Sequence, residues 1–193
     1  MPSFARLGWM SRLANKNACF LLILLIGLPF HLQAQEPAPL THWYLGVKGA
    51  VVFTESGRPA SNGKLIGLEL GYRVSAKSAI ELEVYHSRTE FDAGFGVDQN
   101  ALKINYVLSN PVPLWRPYIL VGGGVFRYKA PGEADTGLTV AVATGGQWDL
   151  NNNGLTLRAE LRYRYSDAES DTPGVFKKAE PIFSLGLIFP LNW

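Results

Sequence analysis

The stretch from Glu180 to Trp193 reads EPIFSLGLIFPLNW, and it decides what the rest of the chain must do. Every second residue is large and apolar, and this alternation is typical of a β-strand with one apolar face. The apolar positions are Phe183, Leu185, Leu187, Phe189, Leu191 and Trp193. A terminal strand of this kind needs a partner along its edge and a cover over its apolar face. We expect the first strand of the chain to be that partner.

The N-terminal 34 residues have the composition of an export signal. Three basic residues precede an apolar run of about 13 residues, Ala18 to Phe30, which suits a signal peptide and is short for a membrane-spanning helix. An uncleaved anchor helix is the alternative. We predict cleavage between Ala34 and Gln35, which makes residues 1–34 a signal peptide and residues 35–193 the mature domain.

The charge balance argues against a nucleic-acid partner. The whole chain has 18 basic and 16 acidic residues, but residues 1–34 contain three basic and no acidic ones. The mature chain therefore has 15 basic and 16 acidic residues, a net charge of −1. The only cysteine of the whole chain, Cys19, lies in the predicted signal peptide, so the mature chain has no thiol, as suits an exported protein.

Seven further segments alternate like the last one, and turn-forming residues separate them. The eight predicted strands cover about residues 42–54, 64–74, 79–89, 102–108, 117–129, 137–150, 155–165 and 180–193. No segment has a helical period, and the connections alternate between long and short, with Pro131–Thr136 as the third long one. The sequence predicts an all-β fold, an eight-stranded antiparallel up-and-down barrel.

Such a barrel is either soluble, of lipocalin type with the aliphatic face inside, or transmembrane with the faces inverted. Small residues such as Gly46, Gly67 and Gly71 share the charged face, where they leave room for long side chains in a narrow lumen. Aromatic residues such as Tyr106 and Trp148 lie near strand ends on the apolar face, like interfacial girdles. These features favour the transmembrane barrel. In the fifth strand, three central glycines leave undecided which residues point inward and which point outward.

Several motifs together resemble the OmpA-like family of eight-stranded outer-membrane barrels. They are Trp43-Tyr44-Leu45-Gly46-Val47-Lys48, Gly71-Tyr72-Arg73-Val74, Ile80-Glu81-Leu82, Leu102-Lys103-Ile104-Asn105-Tyr106, Pro117-Tyr118 with Gly122-Gly123, and Leu161-Arg162-Tyr163-Arg164-Tyr165. The resemblance spans essentially residues 42–193. It implies residence in the outer membrane of a Gram-negative cell, both termini in the periplasm, three short periplasmic turns and four exterior loops. OmpA continues into a peptidoglycan-binding domain, and we expect none here.

The resemblance also assigns a role to the last strand. A terminal aromatic residue after alternating apolar residues resembles the signal read by the outer-membrane assembly machinery, with Trp193 in place of the more usual Phe. The candidate residues are Phe183, Phe189, Leu191 and Trp193. Simple contact with lipid is the alternative role for these side chains.

No residue pattern points to catalysis, a metal or a cofactor. His86 and Ser87 are neighbours on a strand, so their side chains point to opposite faces. The lipid A deacylase barrels would require His-x-Ser near the second-last strand, where this chain has Arg164-Tyr165-Ser166. Arginine stays protonated and cannot act as a general base. The acidic residues Asp167, Glu169 and Asp171 of the last loop could bind a divalent ion, but we interpret them as a solvated loop, because a calcium site requires preorganised ligand geometry.

Charged residues on the inward parity predict an ion-pair network inside the barrel, in place of a hydrophobic core. The candidates are Lys48, Glu69, Glu81, Glu83, Lys103, Arg158, Glu160 and Arg162. We expect Glu81 and Lys103 to be coupled, as inward residues of neighbouring strands.

The sequence favours a structural or surface-interaction role for a monomeric outer-membrane barrel. We expect its loops to contact lipopolysaccharide, surfaces or host molecules, with Arg88 and Arg127 near the exterior strand ends and able to meet lipopolysaccharide phosphates. A narrow channel is the alternative function, although eight strands leave a lumen that side chains can fill. A lipid A-modifying enzyme is the third class.

Overall fold

The computed structural model describes residues 42–53, 62–91, 94–110, 112, 115–151, 154–167 and 178–191. The predicted cleavage site at Ala34 and Gln35 and the terminal Trp193 lie outside these ranges. The eight strands are β1 (Trp43–Val52), β2 (Gly63–Ser75), β3 (Ser78–Glu90), β4 (Gly96–Ser109), β5 (Arg116–Ala130), β6 (Glu133–Asp149), β7 (Thr156–Asp167) and β8 (Lys178–Leu191). None of the residues in these ranges forms a helix long and apolar enough to cross a membrane.

The strands close into one antiparallel barrel in sequence order, with β8 paired to β1. The register is staggered. A path that starts at Trp43 on β1 and steps from each residue to its paired residue on the next strand reaches Pro181 on β8. The carbonyl of Pro181 accepts a hydrogen bond from the amide of Phe53, so the path returns to β1 at Phe53. Phe53 lies ten residues beyond Trp43 on the same strand, and this stagger corresponds to a strand tilt of about 40°. The structure confirms the predicted fold.

The β5–β6 connection differs from the prediction. We expected a loop over Pro131–Thr136, but β6 begins at Glu133, and only Pro131 and Gly132 connect the strands, with Gly132 at a φ of 78°. Similarly, β4 begins at Gly96, in the connection between the predicted strands 79–89 and 102–108. Strand ends that extend beyond the lipid need no apolar outer face, so their sequences do not alternate as the membrane-spanning parts do.

The two faces of the barrel are inverted relative to a soluble protein. Thirty-two large apolar side chains of the described residues are exposed on the molecule, among them Ile66, Ile104 and Leu138 at 62–67%. Charged and polar side chains point inward, and Glu81 and Glu83 are completely buried. A soluble monomer does not expose so extensive an apolar surface. The outer face is therefore the lipid-facing surface of a transmembrane barrel.

The facing of the glycine-rich strand β5 is settled by its neighbours. Leu120 and Phe126 are buried on the inward parity, which Gly122 and Gly124 share, whereas Gly123 faces outward. A Cβ at Gly122 would overlap the Asn105 side chain. The inward glycines let β5 lie close to the neighbouring strand β4.

The two ends of the barrel differ in the length of their connections. At the end where β1 begins and β8 ends, the connections contain two, six and six residues, whereas at the other end they contain ten, five, two and ten. Outer-membrane barrels have short periplasmic turns and longer exterior loops. We therefore call the first the periplasmic end and the second the exterior end.

Candidate functional site: the charged interior and the outer face

Strand β7 supplies most of the positive charge of the interior. Arg158, Glu160, Arg162 and Arg164 occupy successive inward positions, because side chains of a strand alternate between its faces. None of them is more than 4% exposed. Buried charges of this kind require partners, since desolvation of an unpaired charge costs several kcal/mol.

Arg158 contacts three carboxylates and one hydroxyl. Its Nη1 lies 2.6 Å from Oε1 of Glu81 and 3.2 Å from Oε2 of Glu69. Its Nη2 lies 3.1 Å from Oε2 of Glu160, and its Nε donates a 2.8 Å hydrogen bond to the Tyr118 hydroxyl. Glu81 belongs to β3, which does not pair with β7, so this contact crosses the lumen.

Glu83 is the second point at which several ion pairs meet. Arg162 Nη1 lies 2.8 Å from its Oε2, while the ammonium groups of Lys48 and Lys103 lie 3.0 and 3.4 Å from its Oε1. Lys48 also contacts Glu69 at 2.5 Å, and Arg162 contacts Glu160 at 2.7 Å. These contacts and those of Arg158 join all eight candidate residues into one connected network.

The pairing of Lys103 differs from the one expected from the sequence. The register places Lys103 opposite Glu83 and places Glu81 opposite Asn105, so Lys103 contacts Glu83 and Glu81 contacts Arg158. The alternation of the sequence identified Lys103, Glu81 and Glu83 as inward residues, but it contains no information about which residues of neighbouring strands are paired. The coupling expected between Glu81 and Lys103 was therefore assigned to the wrong partner.

Tyrosine hydroxyls extend the network beyond the charged residues. Tyr44 donates a 2.6 Å hydrogen bond to Glu81, and Tyr118 donates a 2.9 Å hydrogen bond to Glu160. The ring of Tyr44 lies over Gly71, where a Cβ would overlap it. Tyr44 and Gly71 are paired inward residues of β1 and β2. The sequence shows a large and a small inward residue, but only the register shows that they lie side by side.

A further ion pair lies closer to the exterior end. Arg164 contacts Glu180 at 2.5 Å and donates a 2.7 Å hydrogen bond to the Tyr85 hydroxyl. Both charged residues are on the inward parity, so the alternation could have identified them. With this pair, the buried side chains of the described interior include five carboxylates and five cations, so the formal charges of this buried set cancel. They are Glu69, Glu81, Glu83, Glu160 and Glu180 against Lys48, Lys103, Arg158, Arg162 and Arg164.

Apolar layers lie on both sides of the charges. The periplasmic layer consists of Tyr44, Ala79, Val107, Tyr118, Leu120, Ala143 and Ile188. The exterior layer consists of Val52, Leu65, Tyr85, Val97, Ala101, Phe126, Tyr128 and Ile182. The expectation that charges replace a hydrophobic core was therefore wrong, because the interior combines a central charged layer with two apolar ones.

The interior leaves little free space around these side chains. One cavity of about 10 Å³ lies beside Lys48, Glu69 and Arg158, and another of about 20 Å³ lies at the periplasmic end beside Arg73 and Arg116. Each has room for roughly one or two water molecules. Neither cavity amounts to a passage.

The two pairs of side chains weighed for catalysis in the sequence are His86 with Ser87 and Arg164 with Ser166, and neither forms a catalytic pair among the described residues. The side chain of His86 is exposed on the outer face, whereas Ser87 is buried on the inner face. Arg164 and Ser166 also point inward, and the Ser166 hydroxyl donates a 3.3 Å hydrogen bond to Thr139. Within the described ranges there is no cluster of metal-ligating side chains. Of the acidic loop, only Asp167 is described.

Aromatic residues lie on the outer face near the periplasmic end. Trp43 and Tyr72 are paired across β1 and β2 with ring centroids 4.9 Å apart, and Trp115 stacks on Trp148 at 6.1 Å. Of the candidate assembly residues, Phe183 and Phe189 are exposed on the outer face and Leu191 is half-buried. Trp193 lies beyond the described residues.

Comparisons with known proteins place the chain in a family. The chain is similar to the crystal structure of Neisserial surface protein A, with a TM-score of 0.62 and 14% identity over 77% of this chain and 97% of that one. The N-terminal β-barrel domain of Pseudomonas aeruginosa OprF has a TM-score of 0.47 and 16% identity over 77% and 96% of the two chains.

The outer membrane enzyme PagL has a TM-score of 0.47 and 14% identity over 76% of this chain and 99% of its own. No curated protein has significant sequence similarity to this chain. The family model of the outer membrane protein beta-barrel domain matches residues 20–189. The chain therefore belongs to the outer membrane protein β-barrel domain family and resides in the outer membrane.

Proposed function

We propose that this protein has a structural and surface-interaction role in the outer membrane, with its exterior loops and outer rim as the contact surfaces. The observation that carries the proposal is the filled interior. A charge-balanced layer lies between two apolar layers, so the barrel offers its outer surface and not its lumen for interactions.

The same observation argues against the alternative of a narrow channel. A water-filled pore requires a continuous polar path, whereas here the polar middle is bounded by buried residues such as Phe126 and Leu120 toward the two ends. The charges of the middle layer are held by short ion pairs, and their movement would strand buried charges. Conduction would therefore require the network to break.

The enzyme alternative lacks both a base and an accessible nucleophile at the expected place. The acyl chains of a lipid substrate lie outside the barrel, but Ser166 is 5% exposed and faces inward. Arg164, at the position of the required histidine, is engaged by Glu180 and Tyr85. We therefore propose a non-enzymatic protein.

The proposed partners are outer-membrane lipid, lipopolysaccharide and the outer-membrane assembly machinery. Phe183 and Phe189 on the lipid-facing side of β8 support contact with membrane lipid or with the assembly machinery. The closed strand order leaves no free edge for pairing with another chain, which supports a monomer.

The substitution Phe189→Ala tests the proposed contact with the assembly machinery. It should lower the amount of the protein in the outer membrane of cells more than it lowers the yield of refolding in detergent. An equal loss in both measurements would assign Phe189 to lipid contact alone.

Single-channel recording in planar bilayers tests the proposed function. The purified, folded barrel should give no stable conductance of porin size, because its lumen is filled. A general porin inserted in the same bilayer serves as the positive control, and heat-dependent electrophoretic mobility verifies that the sample is folded. A steady, porin-sized conductance from the folded sample would replace the structural role with transport.

A further inference from the structure

Two arginine side chains line the cavity of about 20 Å³ at the periplasmic end of the barrel. Arg73 lies near the end of β2, and Arg116 is the first residue of β5. Strands β2 and β5 do not pair with each other, so closure of the barrel brings the two residues to one place. We call this space, with Arg73 and Arg116 in its wall, the arginine cavity.

The arginine cavity has no negative charge in its described wall. The described residues that line it include no aspartate and no glutamate. Arg116 forms an ion pair with Asp149, but the exposed side chain of Asp149 does not line the cavity. The guanidinium of Arg73 lies over the Tyr44 ring, 5.7 Å from its centroid, and no described carboxylate is at ion-pair distance from it. The two arginines and Asp149 together leave one positive charge.

The arginine cavity differs in this respect from the middle of the lumen. There, every inward base contacts a buried carboxylate of the barrel; these bases are Lys48, Lys103, Arg158, Arg162 and Arg164. Among the described inward bases, Arg73 lacks such a contact, although its side chain is half-buried. Partial burial of a charge without a partner is unfavourable, because nothing offsets the lost hydration. This indicates that the partner of Arg73 is an anion from outside the barrel.

Hydrogen-bond donors in the wall of the cavity also lack acceptors. Nη2 of Arg116 contacts Asp149 and the Thr156 hydroxyl, whereas its Nε is buried and has no hydrogen-bond partner among the described residues. Buried donors are rarely left unpaired in proteins. The hydroxyls of Ser75 and Ser78 are hydrogen-bonded to each other at 2.8 Å, which uses only one of their two protons. The wall can therefore donate further hydrogen bonds to a bound anion.

The charge and the size of the arginine cavity suit a carboxylate. One excess positive charge matches one carboxylate, whereas a phosphate group carries more negative charge. The cavity has room for roughly one or two water molecules, so it admits the two oxygens of a carboxylate but not a whole ligand. Arginine binds carboxylates through parallel hydrogen bonds. The ligand must therefore present its carboxylate at the end of a chain that continues into the periplasm.

The remaining walls fit the last residues of a peptide. Ala79, Val107 and Ile188 are buried apolar residues that line the cavity, so they can contact an apolar terminal side chain. Ser75 is exposed and Ser78 is half-buried at the β2–β3 turn, which places their hydroxyls at the opening. From there they can bond the backbone amide groups of the preceding peptide residues. Capture of a terminal carboxylate by converging donors is a recurring mode of peptide recognition.

We infer that the arginine cavity binds the C-terminal carboxylate of a peptide that approaches from the periplasm. This inference goes beyond the proposed function, which concerns the exterior loops and the outer rim at the opposite end of the barrel. The two ideas can fail independently, because conductance reports on the filled lumen and peptide binding reports on its periplasmic opening.

The experiment measures binding of a tetra-alanine peptide with an N-terminal fluorescent label to the folded barrel in phosphatidylcholine nanodiscs by fluorescence anisotropy. The peptide with a free carboxylate should bind about 10- to 100-fold more tightly than its C-terminal amide, the effect of hydrogen bonds between charged groups. Arg73→Gln should abolish this preference. The matched control is Lys77→Gln, which removes an exposed base from the same turn that does not line the cavity and should leave binding unchanged.

Three outcomes would overturn the inference. They are equal binding of the free acid and the amide, equal losses in Arg73→Gln and Lys77→Gln, which would indicate general attraction of anions, and displacement of the peptide by inorganic phosphate at lower concentrations than by acetate, which would assign the cavity to phosphate.

The variant Ala79→Leu keeps the inference testable if Arg73→Gln does not fold, as judged by heat-dependent electrophoretic mobility. Leucine at this position fills the cavity from its apolar wall and leaves both arginines in place. It should therefore remove the preference for the free carboxylate, and an unchanged preference would place peptide binding elsewhere on the barrel.

Discussion

Substituting Arg158 with Met tests how the interior network stabilises the barrel. Methionine fills much of the same volume but removes the charge that contacts Glu69, Glu81 and Glu160. Glu69 keeps its contact with Lys48, and Glu160 keeps other partners. Among the described residues, the completely buried Glu81 then keeps the hydrogen bond from Tyr44 alone. The variant should therefore lose about 3–5 kcal/mol of unfolding free energy, the cost of one stranded buried charge.

A second substitution, Glu81→Gln, should recover part of this loss. Glutamine is neutral and can still accept the hydrogen bond from Tyr44, so the double variant no longer contains the stranded carboxylate. We expect a coupling free energy between Glu81 and Arg158 of about 2 kcal/mol, within the range for residues in direct contact. The double variant should thus be more stable than Arg158→Met alone, or lose far less than the two single losses combined.

The matched control is Arg164→Met, the same substitution on the same strand. Arg164 contacts Glu180 and Tyr85 but not Glu81, so its effect should add to that of Glu81→Gln within about 0.5 kcal/mol. Urea unfolding in lipid vesicles, followed by tryptophan fluorescence, gives the four unfolding free energies of each double-mutant cycle. If Glu81 and Arg158 are also additive, or if Arg158→Met costs less than about 1 kcal/mol, water and not the network balances these charges.

The remaining predictions concern closure and packing. The folded barrel should migrate differently on SDS gels before and after boiling, because a closed sheet has no edge to unravel; an unchanged mobility contradicts closure. Gly71→Val should cost about 1–3 kcal/mol by displacing the Tyr44 ring, whereas Gly49→Val, which has open space on the outer face, should not; equal urea midpoints would dismiss this packing. Tyr44→Phe should cost about 1.5–3 kcal/mol by removing the hydrogen bond to Glu81, with the exposed Tyr72→Phe as the neutral control; a Tyr44→Phe unfolding free energy no lower than that of Tyr72→Phe would rule this out.

Local sequence patterns predicted the elements of the site better than its contacts. The alternation along β7 identified Arg158, Glu160 and Arg162 as inward residues, and the same rule applied to Arg164 would have added it. It failed for the β5–β6 connection, where strand ends beyond the lipid carry no alternating pattern. It also failed for Lys103, because parity specifies a face of the sheet but not the height of a residue.

The sequence by itself determined eight antiparallel strands, an apolar outer face and a charged inner face, because a period of two assigns every side chain to one side of the sheet. Only the tertiary structure decided which charges meet. The stagger of the closed barrel brings Arg158 on β7 to Glu81 on β3, 77 positions apart in the chain, and closure places Arg73 and Arg116 at one cavity. Register and closure are properties of all strands together, so no single stretch of sequence contains them.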